Sequence, residues 1–418
     1  MTVLSELRMR PLHPEAVQDR GWDASVTARL VLAGVVIFTL LSGANLATPI
    51  YSLLQVRLGL NAFGVTIAFA SYVLALVAGL ILAGHWSDHI GRRAALVLAV
   101  LIGVVGGLVF GTAGNLATLA AGRALQGIAV ALATGASAAA LRDLLPSRPE
   151  WASRFTLLSS AGGVAAGPVI GGLLTLLPNP TQTPFLVHAA ALLLLLIPLF
   201  VLRARPAIKP AGPDGPLAAL RPRRPSVSHR ARAAFWMASL VGFLSFAVFG
   251  FCLSLAPGYF AQIMHADARP LIGVLAALTL GASAFSQLLA VRGRFLVPIG
   301  LGMLGVGVLM IALAGAAGLP WLLVLASIAA GAGQGVAFRV VFNEVAGQVE
   351  PSRHAQIISA VYVITYLGSA IPVVGLGAAA GVWGLPAAVS GFAVLVFLAS
   401  MALAITAGRR TTASSSAM

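Results

Sequence analysis

The sequence contains little charge and very few acids. Only 9% of its 418 residues are charged and 11 are Asp or Glu, whereas soluble domains contain roughly 25% charged residues. Hydrophobic residues make up 59% of the chain, and the mean hydropathy is +0.98. Water cannot solvate such a chain, so a soluble enzyme and a soluble nucleic-acid-binding protein are both excluded.

Cysteine and the usual ligand-binding motifs are also scarce. Cys252 is the single cysteine, so no intrachain disulfide can form. The sequence has no Cys-His metal spacing and no GxxxxGK[ST] phosphate loop, and we therefore expect no metal, no cofactor and no use of ATP. A membrane enzyme acting on lipid would need acid, histidine or serine groups clustered at one membrane face. None is present, so we predict that the protein is not an enzyme.

Long apolar stretches take up most of the chain. About 20 residues at 1.5 Å rise cross the ~30 Å hydrocarbon core, so each stretch can span a bilayer alone. The sequence therefore predicts an all-α membrane protein with twelve transmembrane helices, the third and fourth separated only by Gly111 to Asn115. The predicted spans are 30–53, 64–84, 94–114, 116–140, 155–177, 185–203, 233–256, 271–291, 295–316, 319–342, 356–378 and 382–407.

The net charge of +15 is explained by the orientation of these spans in a lipid bilayer. Of the 26 basic residues, 23 fall in connections on one side, only Arg57 and Arg269 fall on the other, and Arg123 falls within a span. Basic connections stay in the cytoplasm. We therefore predict a multi-pass protein of the cell inner membrane with both termini cytoplasmic, and no nucleic-acid partner.

The chain also divides into two similar parts. A connection over 204–232, rich in Pro and Arg, separates six spans and a polar N-terminal tail (1–203) from six spans and a C-terminal tail (233–418). The segment around Gln126 in the fourth span recurs around Gln334 in the tenth. Two pseudo-symmetric six-helix halves joined by a cytoplasmic linker are typical of secondary transporters.

The connection between the second and third spans carries a charged motif, GxxxDxxGRR. Gly84 permits close helix approach, Asp88 supplies an acceptor for an arginine or a helix N-terminus, and Gly91 allows a turn. Arg92 and Arg93 would anchor the next helix at the lipid headgroups. A nonspecific charged turn would not require this spacing.

This motif resembles the signature loop of the major facilitator superfamily, and with the twelve spans the resemblance covers nearly the whole chain. In that family the loop is a conformational latch, its Asp pairing with loop arginines and meeting the start of the eleventh helix, here near Ala355. The resemblance implies this latch role for Gly84, Asp88, Gly91, Arg92 and Arg93. The second copy, near Arg292 to Arg294, lacks the acid.

The fifth span contains the segment Gly163 to Gly172, with small residues one turn apart and a proline inside the helix. Such a segment bends and packs closely against its neighbours. It also resembles the GxxxGPxxGG motif of the superfamily's exporter branch, and the resemblance implies an antiporter-type helix kink. The matching positions are Gly163, Gly167, Pro168, Gly171 and Gly172.

The fourth span contains Arg123 and Gln126, which lie three residues apart and hence on one helix face. An arginine at mid-span costs at least ~2.5 kcal/mol, so we expect it to face the bundle interior and to find partners there. The pair is similar to the RxxQG motif of drug antiporters. Structural hydrogen bonding and a role in transport or coupling are both open.

Four further polar or aromatic residues are candidates for substrate contact. Asn45, near Pro49 in the first span, marks a possible bend, and Gln334 lies in the tenth span. The resemblance implies that the first, fourth, seventh and tenth spans line the cavity. Tyr362 and Tyr366 lie four apart on one face of the eleventh span and could stack on a flat substrate. Ordinary helix packing competes with these roles at each position.

None of the eleven acids falls near the middle of a span, which leaves proton coupling without an obvious carboxylate. The resemblance nevertheless favours a monomeric, proton-coupled exporter of a small amphipathic or hydrophobic molecule such as a drug or metabolite. The alternative is an uptake permease of the same fold for a neutral or anionic nutrient.

Overall fold

The computed structural model describes residues 3–7, 22–203, 231–265, 268–289, 291–349 and 354–416. The predicted linker 204–232 falls outside these ranges except for its last two residues. The same is true of much of the N-terminal tail.

The described residues form helices separated by short turns. Twelve helical segments are long and apolar enough to cross a membrane, which confirms the predicted number of spans. In chain order the α-helices are α1 Val3–Leu7, α2 Val26–Asn45, α3 Tyr51–Leu58, α4 Ala62–Ala83, α5 Ser87–Ile90, α6 Arg92–Gly111, α7 Leu116–Leu144, α8 Pro149–Leu174, α9 Thr183–Val201, α10 Arg232–Ser254, α11 Ala256–Met264, α12 Arg269–Leu288, α13 Leu296–Ala317, α14 Pro320–Gln348, α15 His354–Trp383 and α16 Leu385–Ser416.

The first span is broken where the sequence predicts a bend. Helix α2 ends at Asn45, a short 3-10 helix covers Thr48–Ile50, and α3 continues from Tyr51. Pro49 lies inside the break, where its missing N–H leaves no helical hydrogen bond to lose. The span therefore consists of two helical pieces that meet at Asn45 to Ile50.

The third and fourth spans are separate helices, as predicted. The fourth begins with a capping box, in which Asn115 Oδ1 accepts a hydrogen bond from the Thr118 N–H at 2.9 Å. This cap satisfies an N–H that the helix itself leaves without a partner. The four residues 112–115 are therefore enough to reverse the chain.

The same helix pairing recurs in the two parts of the chain. The third span packs on the fourth and the sixth, and the ninth packs on the tenth and the twelfth. Both pairs approach at glycines: a Cβ at Gly122 would lie 2.6 Å from the Phe110 nitrogen, and one at Gly300 would lie 2.6 Å from the Gly333 oxygen. Small residues let helices approach in lipid, where no hydrophobic effect drives helices together.

Contacts group the chain into two compact units. The first unit comprises Met1–Ala44, Leu74–Val164 and Pro178–Arg223, and the second comprises Asn45–Val73, Ala165–Leu177 and Arg224–Met418. The boundaries fall inside the first, second and fifth spans. Because these units are defined by contact, the division into sequence halves 1–203 and 233–418 stays a prediction.

Within the second unit, the end of the fifth span packs tightly on the start of the eighth. A Cβ at Gly172 would lie 2.6 Å from the Arg269 oxygen and 2.9 Å from Pro270 Cα. Arg269 Nη1 also donates to Ser52 Oγ at 2.8 Å, and Thr48 Oγ1 donates to the Leu253 oxygen at 3.1 Å. Backbone contact and hydrogen bonds thus join the first, fifth, seventh and eighth spans.

We predict that Gly172→Ala destabilises the protein, because the added methyl group must push two helix backbones apart. Overpacking of this kind typically costs about 1–3 kcal/mol. Thermal unfolding of the purified protein in detergent should show a lower Tm. Gly302→Ala is the matched control, since nothing lies within 4 Å of a Cβ at Gly302. Equal Tm values for the two variants would contradict the close packing.

Candidate functional site

The motif between the second and third spans forms a compact turn. Helix α4 ends at Ala83, the four-residue helix α5 covers Ser87–Ile90, and α6 starts at Arg92. Gly91 has φ 88° and ψ 150°, a conformation that residues with a side chain rarely adopt. A Cβ at Gly135 in the fourth span would lie 2.8 Å from the Gly84 oxygen. Gly84 and Gly91 therefore have the close-approach and turn roles that the sequence predicts.

Asp88 pairs with an arginine of its own turn. Its Oδ1 accepts from Arg92 Nη1, and Arg92 also donates to Ser87 Oγ at 3.0 Å and to Asp143 Oδ2 at 3.1 Å. The expected pairing of Asp88 with a loop arginine is confirmed, whereas its meeting with the eleventh helix near Ala355 stays a prediction. Asp143 was not predicted, although its place just beyond the predicted end of the fourth span at residue 140 was a signal.

Arg93 does not anchor the helix at the headgroups, and that expectation is wrong. Its side chain is only 8% exposed, and its guanidinium lies 2.5 Å from the Glu6 carboxylate. It also donates to the Leu202 oxygen at 2.5 Å, at the end of the sixth span. Glu6 and Leu202 thus satisfy the charge of Arg93 inside the protein. The two motif arginines, Arg92 and Arg93, therefore have different partners and different surroundings.

Arg123 lies inside the first unit, as expected from the free-energy cost of placing an arginine side chain in lipid. The residue is 1% exposed, and Nη1 donates to the Ala44 oxygen at 2.5 Å and to Gln126 Oε1 at 2.9 Å. Gln126 Nε2 finds no acceptor among the described residues. The structure thus brings Arg123 and Gln126 together, and it joins them to the last turn of helix α2 beside Asn45.

The fifth-span motif crosses the boundary between the two units. In the first unit, a Cβ at Gly163 would lie 2.6 Å from the Phe38 oxygen. In the second unit, Gly171 packs on Leu46, Gly172 on Arg269, and Pro168 on Gly273. Gly167 belongs to the same continuous helix α8, which contains Pro168 in its interior. The predicted close packing is confirmed, and its partners are the first and eighth spans.

Gln334 and Asn45 are both buried in the second unit. Gln334 is 1% exposed and accepts a hydrogen bond from Ser283 in the eighth span. Gln287 Nε2 donates to the same Ser283 hydroxyl at 3.1 Å. Asn45 is 3% exposed at the break in the first span. Helix-to-helix hydrogen bonding accounts for Gln334 in this structure.

An aromatic cluster in the second unit includes both predicted tyrosines. Phe246 lies 5.2 Å from Tyr366 between ring centroids, and Phe342 lies 5.3 Å from Tyr362. Phe249 and Phe338 complete the cluster through Phe246 and Phe342. The cluster therefore joins the seventh, tenth and eleventh spans. Sequence reasoning missed its four phenylalanines, although Phe246 and Phe249, and Phe338 and Phe342, have helical spacing.

The sequence matches a known family and several known proteins. Residues 32–371 match the model of the Major Facilitator Superfamily. The tetracycline resistance protein, class E, of Escherichia coli is 35% identical over 184 residues, which are 41% of this chain and 43% of that protein. The multidrug resistance protein MdtL of Escherichia fergusonii is 27% identical over 223 residues, 52% of this chain and 54% of that protein. The chain thus matches about half of the length of these relatives.

Two solved structures share the fold. A bacterial homolog of the human lysosomal transporter Spinster has a TM-score of 0.70 and 16% identity, over 92% of this chain and 97% of that one. The nucleoside transporter NupG has a TM-score of 0.71 and 14% identity, over 91% of this chain and 100% of that one. At these identities the likeness concerns the fold alone.

We predict that Asp88→Asn leaves the protein folded but changes its transport rate. The Asp88–Arg92 pair is partly exposed, with side chains 29% and 22% accessible, and such pairs contribute about 0.2–1 kcal/mol. Losing the pair should therefore shift the balance of conformational states by roughly up to fivefold. The measurement is the initial transport rate at equal protein abundance. Glu150→Gln, which neutralises an exposed acid, is the control, and an unchanged rate in Asp88→Asn would refute the latch role.

Proposed function

The chain belongs to the major facilitator superfamily, and we propose that it exports a small amphipathic or hydrophobic compound from the cytoplasm in exchange for protons. Alternating access of the two parts of the chain around a midplane cavity is the mechanism expected of this fold. The fifth-span motif supports export through its resemblance to the exporter branch. The resistance proteins among the relatives support the same direction.

The proposed class of substrate rests on the aromatic cluster. Six uncharged rings on three spans form a surface on which a flat, apolar molecule can stack, and the two tyrosine hydroxyls add polar tips. Phe246, Phe342, Tyr362 and Tyr366 remain partly accessible in the structure. We therefore propose a neutral, aromatic or amphipathic substrate that packs against Phe246, Phe342, Tyr362 and Tyr366.

Arg123 gives the first unit a fixed, buried positive charge. A guanidinium keeps its proton at any working pH, so Arg123 cannot itself carry the coupled proton. Its bond to the Ala44 oxygen holds the turn next to the break in the first span. The free Nε2 donor of Gln126 is the group that can meet a polar atom of the substrate or a water that relays protons. Arg123 thus acts as a positioning residue for Gln126 and the first span.

The alternative is an uptake permease for a neutral or anionic nutrient. The observation in its favour is the same Arg123, because a fixed cation beside a free amide donor is suited to an anionic group. The two functions differ in direction, since an exporter lowers the substrate concentration in the cell and a permease raises it.

Accumulation of a neutral planar aromatic dye in cells tests the proposal. Cells that produce the protein should contain less dye than cells that lack it, and collapse of the proton gradient should remove the difference. A higher dye content in producing cells would favour uptake. A difference that persists without the gradient would contradict proton coupling.

We predict that Arg123→Ala abolishes this export while the protein still inserts, because the Ala44 carbonyl and the Gln126 amide lose a charged partner. Hydrogen bonds to charged groups contribute about 1.5–3 kcal/mol each. Arg123→Lys should restore export only partly, because an ammonium cannot replace a planar fork of donors. Arg57→Ala is the control, since Arg57 is exposed. Normal export by Arg123→Ala would make Arg123 merely structural and move the site to the tenth span, and lost insertion would favour a packing role.

A further inference from the structure

The N-terminal helix α1 is attached to the third span through a buried charge pair. Glu6 is 0% exposed, and its carboxylate lies 2.5 Å from the Arg93 guanidinium. The sequence predicts that Glu6 lies in a polar tail, where a charged side chain would face water. Its place in the tail therefore does not explain its complete burial.

Arg93 connects helix α1 to the end of the sixth span, where further contacts meet. Arg93 donates to the Leu202 oxygen. Trp22 forms backbone hydrogen bonds to the residues on both sides of Leu202. The Trp22 N–H donates to the Val201 oxygen at 2.9 Å, and the Trp22 oxygen accepts from the Arg203 N–H at 2.9 Å. Residues from the N-terminal part of the chain thus hold the start of the third span against the end of the sixth.

A cavity of about 690 Å³ lies beside these contacts in the first unit. Its lining includes Glu6, Arg93 and Leu96, and also Arg92 of the turn described above and its partner Asp143 in helix α7. Helix α1 therefore forms a wall of a space that reaches the Asp88–Arg92 network. A change in the position of α1 would change the surroundings of both motif arginines.

The Glu6–Arg93 pair can stay buried only while both charged side chains are present. Removing one member of a buried ion pair leaves the other charge without compensation and is strongly destabilising. Glu6 is thus the group that permits Arg93 to lie inside the protein. Loss of Glu6 would favour release of α1 and hydration of Arg93.

We propose that helix α1 is a lock on the Gly84–Arg93 turn, in which Glu6 docks on Arg93 and ties the third span to the sixth. The lock controls the transport cycle from the side that the basic residues predict to be cytoplasmic. It requires a transporter but does not depend on which compound is moved or in which direction.

Thiol labelling measures docking without any transport assay. Cys252→Ser gives a cysteine-free chain, because Cys252 is the single cysteine. Leu96→Cys then places a thiol in the cavity wall, at a position only 4% exposed, and Ser147→Cys places a reference thiol on an exposed loop. The probe is a membrane-impermeant maleimide added to inside-out vesicles, and each Leu96→Cys rate is divided by the Ser147→Cys rate.

Charge reversal at Glu6 should open the cavity. We expect Glu6→Arg to raise the relative labelling of Leu96→Cys by at least about tenfold, since two like charges would then face each other. Glu150→Arg makes the same change of charge at an exposed position and should have no effect. Unchanged labelling in Glu6→Arg, or an equal rise in Glu150→Arg, would overturn the lock.

The neutral variant tests the role of the charge. Glu6→Gln keeps the size of the side chain but leaves Arg93 without a counter-charge, so it should raise the relative labelling of Leu96→Cys, though by less than Glu6→Arg. Labelling of Glu6→Gln as slow as that of the protein with Glu6 would show that the charge pair does not hold helix α1. If the Leu96→Cys protein failed to accumulate, Ala24→Cys in the same cavity wall, 7% exposed, would give the same readout.

Discussion

A guanidinium in a membrane bundle cannot lose its proton and cannot be hydrated by lipid, so the protein must supply its hydrogen-bond partners. In this chain that constraint fixes helix positions. Arg123 takes the Ala44 carbonyl and the Gln126 amide as partners, and so joins the fourth span to the first at the turn before its break. Arg93 lies at the start of the third span and not within the membrane, but it is also buried, with Glu6 and Leu202 as partners, and so joins the third span to the sixth and to the N-terminal helix.

Close helix packing is the second determinant of the structure, and it complements the buried arginines. Lipid provides no hydrophobic drive for helix association, so contacts depend on small residues that bring backbones together. The fifth span makes such close backbone contacts at two places, with Gly163 against Phe38 in one unit and Gly172 against Arg269 in the other. The same helix thus takes part in both compact units. A helix that crosses this boundary, with a proline in its interior, is suited to adjust when a transporter changes state.

Sequence reasoning succeeded where the signal is local. The lengths of apolar stretches gave twelve spans, Pro49 marked the break near Asn45, and the charged motif resembled a family loop in which the Asp pairs with loop arginines. It failed where partners are distant in the chain. Nothing near Arg93 indicates that Glu6 of a polar tail would cover it, so headgroup anchoring was the simpler expectation. The aromatic cluster was only partly predicted, because its rings come from three spans whose mutual contact no local pattern encodes.

We propose that the protein moves a neutral aromatic compound out of the cytoplasm in exchange for protons. The most direct measurement of this exchange uses purified protein in liposomes of known protein orientation, loaded with a neutral planar dye and diluted into medium more acidic than the lumen. For molecules whose predicted cytoplasmic side faces the lumen, we expect the inward proton gradient to accelerate dye release and dye release to carry protons inward. A rate of dye release that does not depend on the proton gradient, or movement of dye and protons in the same direction, would contradict proton-driven export.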